Sequence, residues 1–241
     1  IAYQLAQGKT PDVKLSSTYV PVVMGDVCLV MRQGDAEKLA QVNKGIAAIN
    51  ILPLSNGEKV NALIDLDQVD PSMNLFMVTE KGLVKKTPLH EFKNVRRNGL
   101  IAISLMEGDH LAKVRLTNGD QTIILATKLG MAICFNENDV RPMGRNTRGV
   151  RGITLAEGDM VIGADVLEPD CQVLTVSEEG FGKRNNVDAY KVQLRGGKGI
   201  KGMQTIEEDF IEDLLMTTNH HYIMFFTNTG RVYRLKAYEI P

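Results

Sequence analysis

The run Ile124-Leu-Ala-Thr-Lys-Leu-Gly130, together with residues 131–135 that follow it, is the clearest indication of the fold. It contains two short apolar runs separated by a turn with glycine, which is the pattern of a β-hairpin. Neither run shows the 3.6-residue spacing of an amphipathic helix. Two further strand-like runs, residues 100–105 and 111–116, precede this hairpin. The pattern therefore predicts a unit of four short strands.

The same pattern of two apolar runs around a glycine turn recurs along the chain, with turn glycines at positions 34, 82, 130, 180 and 230. Successive turn glycines are 48, 48, 50 and 50 residues apart. Other glycines keep the same period and precede short apolar stretches, as in Gly149-Val-Arg-Gly-Ile and Gly199-Ile-Lys-Gly-Met. Self-similarity at this period indicates a repeat architecture, in which residues 1–41 are a divergent or partial copy.

Four strands per period suggest a blade, and blades arranged around a centre leave few open sheet edges. We therefore predict that residues 1–241 form a single all-β domain, a propeller-like disc of about five to six four-stranded blades. Two packed sandwiches are the alternative architecture. The chain has no tryptophan, which sets aside the propellers whose blades carry a Trp-Asp signature.

Positive charge is concentrated in phase with the repeat, in residues 81–99, 128–151 and 178–201. These stretches hold 17 basic and 6 acidic residues, whereas the rest of the chain holds 11 basic and 23 acidic residues. If each blade places its basic stretch at the same position, a positive rim results that attracts the phosphates of DNA. Bending DNA around such a rim costs on the order of a few kcal/mol over 20–30 base pairs. A solvated loop with scattered charge is the alternative for any single stretch.

The overall composition limits the class of protein. The formal net charge of -1 excludes a uniformly basic nucleic-acid binder. No run approaches the 18 apolar residues of a membrane span, so we expect no membrane association. Three cysteines among apolar residues favour reduced thiols in a cytoplasmic protein over disulfides or a metal. The chain begins at Ile1 and ends at Pro241, and we interpret it as a fragment or a processed protein.

Residues that could carry catalysis or hold a metal are scattered. The histidines at positions 90, 110, 220 and 221 lack metal-ligand spacing with cysteine or with one another. The acidic turn Glu207-Glu-Asp209 matches polar turns in the other units, and we interpret it as a solvated face. The sequence has no phosphate-loop motif and no Gly-x-Ser-x-Gly. We therefore predict no catalytic residue and no metal site.

One motif carries a family resemblance. The run Gln193-Leu-Arg-Gly-Gly-Lys-Gly199 resembles the gyrase A box, a glutamine followed by two basic residues, two glycines, a basic residue and a glycine. Residues 140–153, 81–89 and 94–99 resemble the matching loops of other blades, and residues 225–241 also fit. Over about residues 42–241, the chain resembles the C-terminal domain of the DNA gyrase A subunit. The fold that this implies is a β-pinwheel, a propeller-like disc with altered strand connections.

The resemblance also implies a set of DNA-binding residues. Within the box, Arg195 and Lys198 would contact phosphate, and the glycines would permit the loop. Basic residues of the same and other blades would extend this contact. The full set is Gln193, Arg195, Gly196, Gly197, Lys198, Gly199, Lys201, Arg141, Arg145, Arg148, Arg151, Lys85, Lys86, Arg96, Arg97, Lys183 and Arg184.

The family's function follows from the same resemblance. A domain of this family wraps duplex DNA around its basic rim and so lets bacterial DNA gyrase, an ATP-dependent type II topoisomerase, introduce negative supercoils. The chain would be non-catalytic by itself and would need no cofactor, because ATP and magnesium are used by the full gyrase. Its partners would be duplex DNA, the gyrase B subunit, and the remainder of the gyrase A subunit.

Three features depart from the family pattern. Leu194 stands where the box usually has a second basic residue. The box-like run lies in the last blade and not the first, so the blade order looks circularly permuted. We count five repeats where the family usually has six.

Three alternatives remain. One is the C-terminal domain of topoisomerase IV, which lacks a full box. Another is a β-propeller protein-interaction module that ignores free DNA. A third is a propeller enzyme, which would need clustered acids, histidines or metal ligands from several blades, and we find none in register.

Overall fold

A computed structural model of the chain describes residues 69–93, 99–205, 209–226 and 231–240. These residues form short strands joined by turns and 3₁₀ helices, and no helix among them is long and apolar enough to cross a membrane. The strands are β1 (Asn74–Thr79), β2 (Leu83–Pro88), β3 (Leu111–Thr117), β4 (Thr122–Thr127), β5 (Met131–Asn136), β6 (Val150–Arg151), β7 (Val161–Leu167), β8 (Gln172–Ser177), β9 (Gly182–Asn186), β10 (Ile200–Lys201), β11 (Ile211–Thr217), β12 (Tyr222–Phe226) and β13 (Val232–Lys236). The 3₁₀ helices are Leu89–Phe92, Glu137–Asp139, Val187–Ala189 and Ala237–Glu239.

Three hairpins of the same build mark the repeat: β1–β2, β4–β5 and β8–β9. Their turn glycines, Gly82, Gly130 and Gly180, have φ of 79°, 82° and 86°, a conformation that side chains rarely adopt. A buried hydroxyl ends the first strand of each hairpin and accepts a hydrogen bond from the amide four residues later. These residues are Thr79, Thr127 and Ser177.

Neighbouring repeats are connected because each four-stranded sheet takes its outer strand from the repeat that follows. We call these outer strands exchanged strands. The first sheet has the order β3-β1-β2-β6, and the second has the order β7-β4-β5-β10. The outer strands β6 and β10 belong to the repeat that follows the hairpin they join. The third sheet has the order β11-β8-β9, and β12 and β13 form a two-stranded sheet.

The glycines that open these exchanged strands have a structural reason. Gly149 has φ of 93°, and a Cβ on it would lie 2.5 Å from the carbonyl oxygen of Val84 in β2. Gly199 has φ of 76°, and a Cβ there would meet the carbonyl of Ala132 in β5 just as closely. Only glycine lets the two backbones approach to this distance. The second glycine of the repeat therefore joins consecutive sheets.

The second sheet is buried on both faces, because alternate residues of a strand point to opposite sides. Ile123 and Leu125 pack with Phe76 and Val84 of the first sheet. Ile124 and Ala126 pack instead with a cluster that includes Val173 of the third sheet. Burial on both faces explains why β4 and β5 read as continuous apolar runs.

The predicted all-β class is confirmed, and three details differ. The run at residues 111–116 does not share a sheet with the hairpin that follows it, because β3 pairs with β1 of the preceding hairpin. Residues 100–105 form no strand; the corresponding positions in the next two repeats are the two-residue strands β6 and β10. The acidic turn is not a solvated face at Asp209, which is 8% exposed. Asp109, Asp159 and Asp209 accept hydrogen bonds from backbone amides at the hairpin turns of their own repeats, at 2.9, 2.9 and 3.2 Å.

The domain boundary stays a prediction. Residues 222–235, with β12 and most of β13, belong to a different compact unit from the described residues before 222 and after 235. The divergent copy that we expect in residues 1–41 lies outside the described residues.

Candidate nucleic-acid interface

Two loops of the same build carry most of the candidate residues. Loop A is residues 140–151 and loop B, which contains the box-like run, is residues 190–201. In each loop the amide of the fourth residue donates to the preceding repeat. Met143 donates to the carbonyl of Lys86 and Gln193 to that of Cys134, both at 2.8 Å. Each loop ends in an exchanged strand. The two loops therefore correspond with an offset of fifty residues.

Three positions in each loop present an exposed basic side chain. Among the described residues, none of these six side chains has a salt-bridge partner. The amino group of Lys201 donates a long hydrogen bond of 3.4 Å to the carbonyl of Leu129. In order along the loops, the pairs are Arg141 and Lys191, Arg148 and Lys198, and Arg151 and Lys201.

Lys191 is absent from the residues selected by sequence. The signal was present, because an offset of fifty residues aligns it with Arg141. Lys191 lies two residues before the box-like run at 193–199, outside the part of the loop that carries the resemblance.

A fourth basic position in each loop is half-buried and engaged by the protein. The Nε of Arg195 donates to the carbonyl of Asp139 at 2.7 Å, and its Nη1 donates to the carbonyl of Arg151 at 3.0 Å. Arg145 occupies the corresponding position in loop A, and its Nε lies 4.0 Å from a carboxylate oxygen of Glu91. Arg195 therefore holds loop B in place, while Lys198 remains exposed.

The glycines of loop B complete its attachment to the preceding repeat. The amide of Gly196, which has φ of 86°, donates to the carbonyl of Gly152 at 2.6 Å. In the opposite direction, Thr154 donates two hydrogen bonds to loop B. Its amide donates to the carbonyl of Gly197 at 2.8 Å, and its hydroxyl donates to the carbonyl of Gly196 at 2.7 Å. Loop B is therefore fixed along its length before any ligand arrives.

The expectation that Lys85 and Lys86 face DNA is wrong, because both are buried. Lys85 donates through Nζ to the carbonyls of Ala102 at 2.6 Å and Thr147 at 3.2 Å, and also to that of Arg145. Burial, with a contribution from the charge of Arg145, lowers the pKa of Lys85 to about 8. Its amino group therefore supports loop A from beneath.

Lys86 lies on the opposite face of β2 and enters the interface with the second sheet. Its Nζ donates to the carbonyl of Glu137 at 2.9 Å and lies 3.6 Å from that residue's carboxylate. The same carboxylate accepts from the hydroxyl of Thr117 and from the amides of Gly119 and Gln121. The pair is a buried structural ion pair.

Of the remaining four candidates, two are described by the structure and differ in exposure. Lys183 is exposed. Arg184 is half-buried, and its guanidinium donates to Gln172 at 2.7 Å, to Asn219 at 2.5 Å and to the carbonyl of Ile240 at 3.1 Å. The protein engages this guanidinium, and its contact with DNA stays a prediction. Arg96 and Arg97 lie outside the described residues.

No group of three or more histidine, cysteine or acidic side chains in the described part of the chain could hold a metal ion. Cys134 and Cys171 are both free thiols. Burial raises the pKa of Cys134 to about 12, so this thiol stays protonated and unreactive at neutral pH.

Consecutive four-stranded sheets with a shared core and exchanged edge strands define an all-β repeat protein of the propeller class. The model of the family described as DNA gyrase C-terminal domain, beta-propeller, matches residues 74–118, 121–168, 172–218 and 221–241. These segments cover more than half of the chain and follow its repeats. The chain belongs to the DNA gyrase C-terminal domain family.

Known proteins agree with this assignment. The chain is 38% identical over 210 residues to the DNA gyrase A subunit of Staphylococcus aureus, strain NCTC 8325 / PS 47, and equally to that of strain MRSA252. Each match covers 86% of the chain but 24% of the relative, so the chain spans about a quarter of the length of these proteins.

Solved structures show the same fold. The C-terminal domain of DNA topoisomerase IV matches with a TM-score of 0.74 and 24% identity, over 80% of this chain and 61% of that one. A DNA gyrase A C-terminal domain matches with a TM-score of 0.71 and 24% identity, over 79% and 64%. These likenesses carry the fold alone.

Proposed function

We propose that the chain binds duplex DNA through loops A and B and bends it around a basic rim. In this proposal it is the DNA-wrapping part of a gyrase A subunit in the bacterial cytoplasm, and it lets the enzyme introduce negative supercoils. Its protein partners are the remainder of the A subunit, together with the gyrase B subunit, and they carry the chemistry that uses ATP and magnesium. The chain itself turns nothing over and needs no cofactor.

The observation that carries this proposal is the recurrence of three exposed cations at the same positions of two loops. Recurrence at a fixed repeat spacing suits a polymer with regularly spaced charge, which DNA is. If all six side chains contact phosphates, the slope of log K against log salt is about −5. Raising the salt from about 50 to 200 mM would then weaken binding ~10³-fold.

Fixed loops suit this task because they spend little conformational entropy when DNA arrives. Loop A rests on the buried amino group of Lys85, and loop B is clamped through Arg195 and Thr154. Contacts of this kind go to the phosphate backbone, so they position the DNA and confer little sequence preference.

The first experiment measures affinity and bending together. A linear duplex of about 40 base pairs with fluorophores at its ends is titrated with the chain at two salt concentrations. We expect affinity that falls steeply with salt and energy transfer that rises on binding. Arg148→Ala with Lys198→Ala should lower the salt slope by about 2, whereas Lys81→Ala, an exposed lysine outside both loops, should leave it unchanged.

The outcomes separate the alternatives. Binding without end-to-end approach leaves a DNA-binding domain that does not bend its ligand. No binding at low salt removes the DNA proposal and favours the protein-interaction module.

The gyrase assignment has its own test, because the structural likeness extends to topoisomerase IV. The full-length protein that carries this chain is assembled with its partner subunit, then supplied with relaxed plasmid and ATP. Negative supercoiling supports gyrase. Relaxation or decatenation without supercoiling supports topoisomerase IV.

A further inference from the structure

Loop B presents two apolar side chains to solvent. Leu194 is 80% exposed and Val192 is 60% exposed, and Leu194 is the most exposed large apolar side chain in the described part of the chain. A single exposed leucine is ordinary on a protein surface. Leu194 is unusual because of how its backbone is held and which charges surround it.

The backbone on either side of Leu194 is anchored. The amide of Gln193 donates to the carbonyl of Cys134 at 2.8 Å, and the amide of Gly196 donates to the carbonyl of Gly152 at 2.6 Å. Because the backbone is held on both sides, the leucine cannot easily fold back onto the apolar core. The side chain is therefore a fixed apolar tip that only a partner can cover.

Basic side chains flank this tip. Lys191 and Lys198 are exposed on either side of it in the same loop. Arg151 is also exposed, and its backbone carbonyl accepts the bond from Arg195. A ligand that matches an apolar tip between cations offers negative charge on both sides of an apolar surface. Duplex DNA has phosphates along both edges of its minor groove, and the faces of two stacked bases become accessible to an apolar side chain when the step between them opens.

Loop A has the same cations without the tip. Fifty residues before Leu194 stands Gly144, which has no side chain, and Pro142 takes the place of Val192. The two loops therefore differ in what they can do to the same ligand: both can hold phosphates, and only loop B can press an apolar group against bases.

We propose that Leu194, supported by Val192, enters the minor groove and wedges open one base step, so that the bend in bound DNA is sharpest at loop B. The proposal rests on the DNA-binding function above and deepens it. Apolar wedges of this kind partly unstack a base step and kink the duplex towards the major groove. The cations on either side would hold the two backbones while the step opens.

The test uses the same chain and duplex, with 2-aminopurine placed at successive positions so that unstacking is reported as a rise in fluorescence. We expect a rise confined to one or two adjacent positions with the wild-type chain. Leu194→Ala should reduce that rise in fluorescence by at least half and should lower the end-to-end energy transfer. The dissociation constant should change less than about 10-fold. Leu129→Ala, which removes a 41% exposed leucine at a hairpin tip, should change neither signal.

A second variant separates wedging from charge. Leu194→Lys keeps a long side chain and adds a cation, so it should steepen the salt slope by about 0.9 and still lose the 2-aminopurine signal. The wedge is overturned if wild-type chain binds and bends DNA without any rise in fluorescence, or if Leu194→Ala leaves the rise intact. If the wild-type chain does not bind DNA at all, both this inference and the proposed function fail together.

Discussion

Strand β2 and loop B show the two ways in which basic residues serve this fold. Both follow a hairpin glycine, and in the sequence both look like part of one recurring basic stretch. Lys85 and Lys86 in β2 are 0% and 3% exposed, whereas Lys198 in loop B is exposed with no salt-bridge partner in the described chain. A strand within a sheet is covered on its faces by neighbouring repeats, and a loop beyond its edge is not. The number of charges in a stretch therefore overstates its share of a DNA interface.

The largest contrast between the two regions should appear in stability. Lys86→Met removes one partner of a buried ion pair, and the carboxylate of Glu137 keeps its other hydrogen bonds but loses its counter-charge. The free energy of unfolding should therefore fall by about 3–5 kcal/mol. Lys198→Met removes an exposed cation and should change it by no more than about 0.5 kcal/mol. Denaturant titration of both variants measures the difference.

A double variant sharpens the same point. Lys86→Met with Glu137→Gln removes both charges and should recover part of the lost stability. Equal losses for Lys86→Met and Lys198→Met would contradict the burial of this pair.

The next effect concerns the exchanged strand that carries loop A onto β2. Gly149→Ala forces a Cβ against the carbonyl of Val84 at a φ of 93°, and we expect a loss of about 2–4 kcal/mol in unfolding free energy. Gly199→Ala should cost a similar amount, because the second exchanged strand has the same geometry. Thermal unfolding monitored by circular dichroism measures both.

Gly144→Ala is the matched control for this pair. It lies in loop A with nothing within 4 Å of its would-be Cβ, so stability should stay the same or rise by up to about 1 kcal/mol. A loss at Gly144 as large as that at Gly149 would show that the close approach to β2 is not the cause.

A smaller effect should follow the protonation of Lys85. Its pKa falls from an ordinary 10.5 to about 8 in the folded chain, so between these values the unfolded chain binds more protons than the folded one. The free energy of unfolding, taken relative to Lys85→Met, should therefore rise between about pH 8 and pH 10.5, on the order of 1–3 kcal/mol, and be flat below pH 7.

Lys183→Met provides the reference for this pH dependence. It occupies the corresponding position of β9, opposite Thr175 as Lys85 is opposite Met77, but it is exposed. The difference between wild type and this variant should show no such rise. A rise of the same size in both comparisons would mean that Lys85 is not desolvated.

The smallest effects should separate two basic residues of loop B. Arg195→Ala removes two hydrogen bonds to backbone carbonyls, so stability should fall by about 1–2 kcal/mol and amide exchange at Gly196 should accelerate. Lys198→Ala should leave both unchanged and lower the salt slope of DNA binding by about 0.9. If Arg195→Ala lowers the salt slope and leaves amide exchange unchanged, Arg195 contacts phosphate and does not clamp the loop.

Much of the fold could be predicted because its cause is local and repeated. A glycine turn between two apolar runs specifies a hairpin, and the period of 48 to 50 residues predicts that the hairpin recurs. The exchanged strands could not be predicted. Residues 150–151 and 200–201 are too short to show a strand pattern, and their partners lie more than 60 residues away in β2 and β5.

The candidate site, too, could be predicted from the sequence only in part. The box-like run located loop B, and its charge predicted an anionic ligand. The sequence could not show that Arg195 donates to backbone carbonyls while Lys198 is exposed. That difference depends on where the carbonyls of Asp139 and Arg151 lie in space. Lys191 could have been found from the repeat offset alone.

The repeated hairpin, the positive φ at its turns and the family of the chain follow from the amino-acid sequence, since each depends on residues close together in the chain or on their period. Which basic residues face solvent depends on the packing of the sheets. Packing of one sheet against the next buries Lys85 and Lys86 and leaves the loop cations exposed. That packing brings together residues about fifty positions apart, and their contacts leave no mark in the local pattern of either segment.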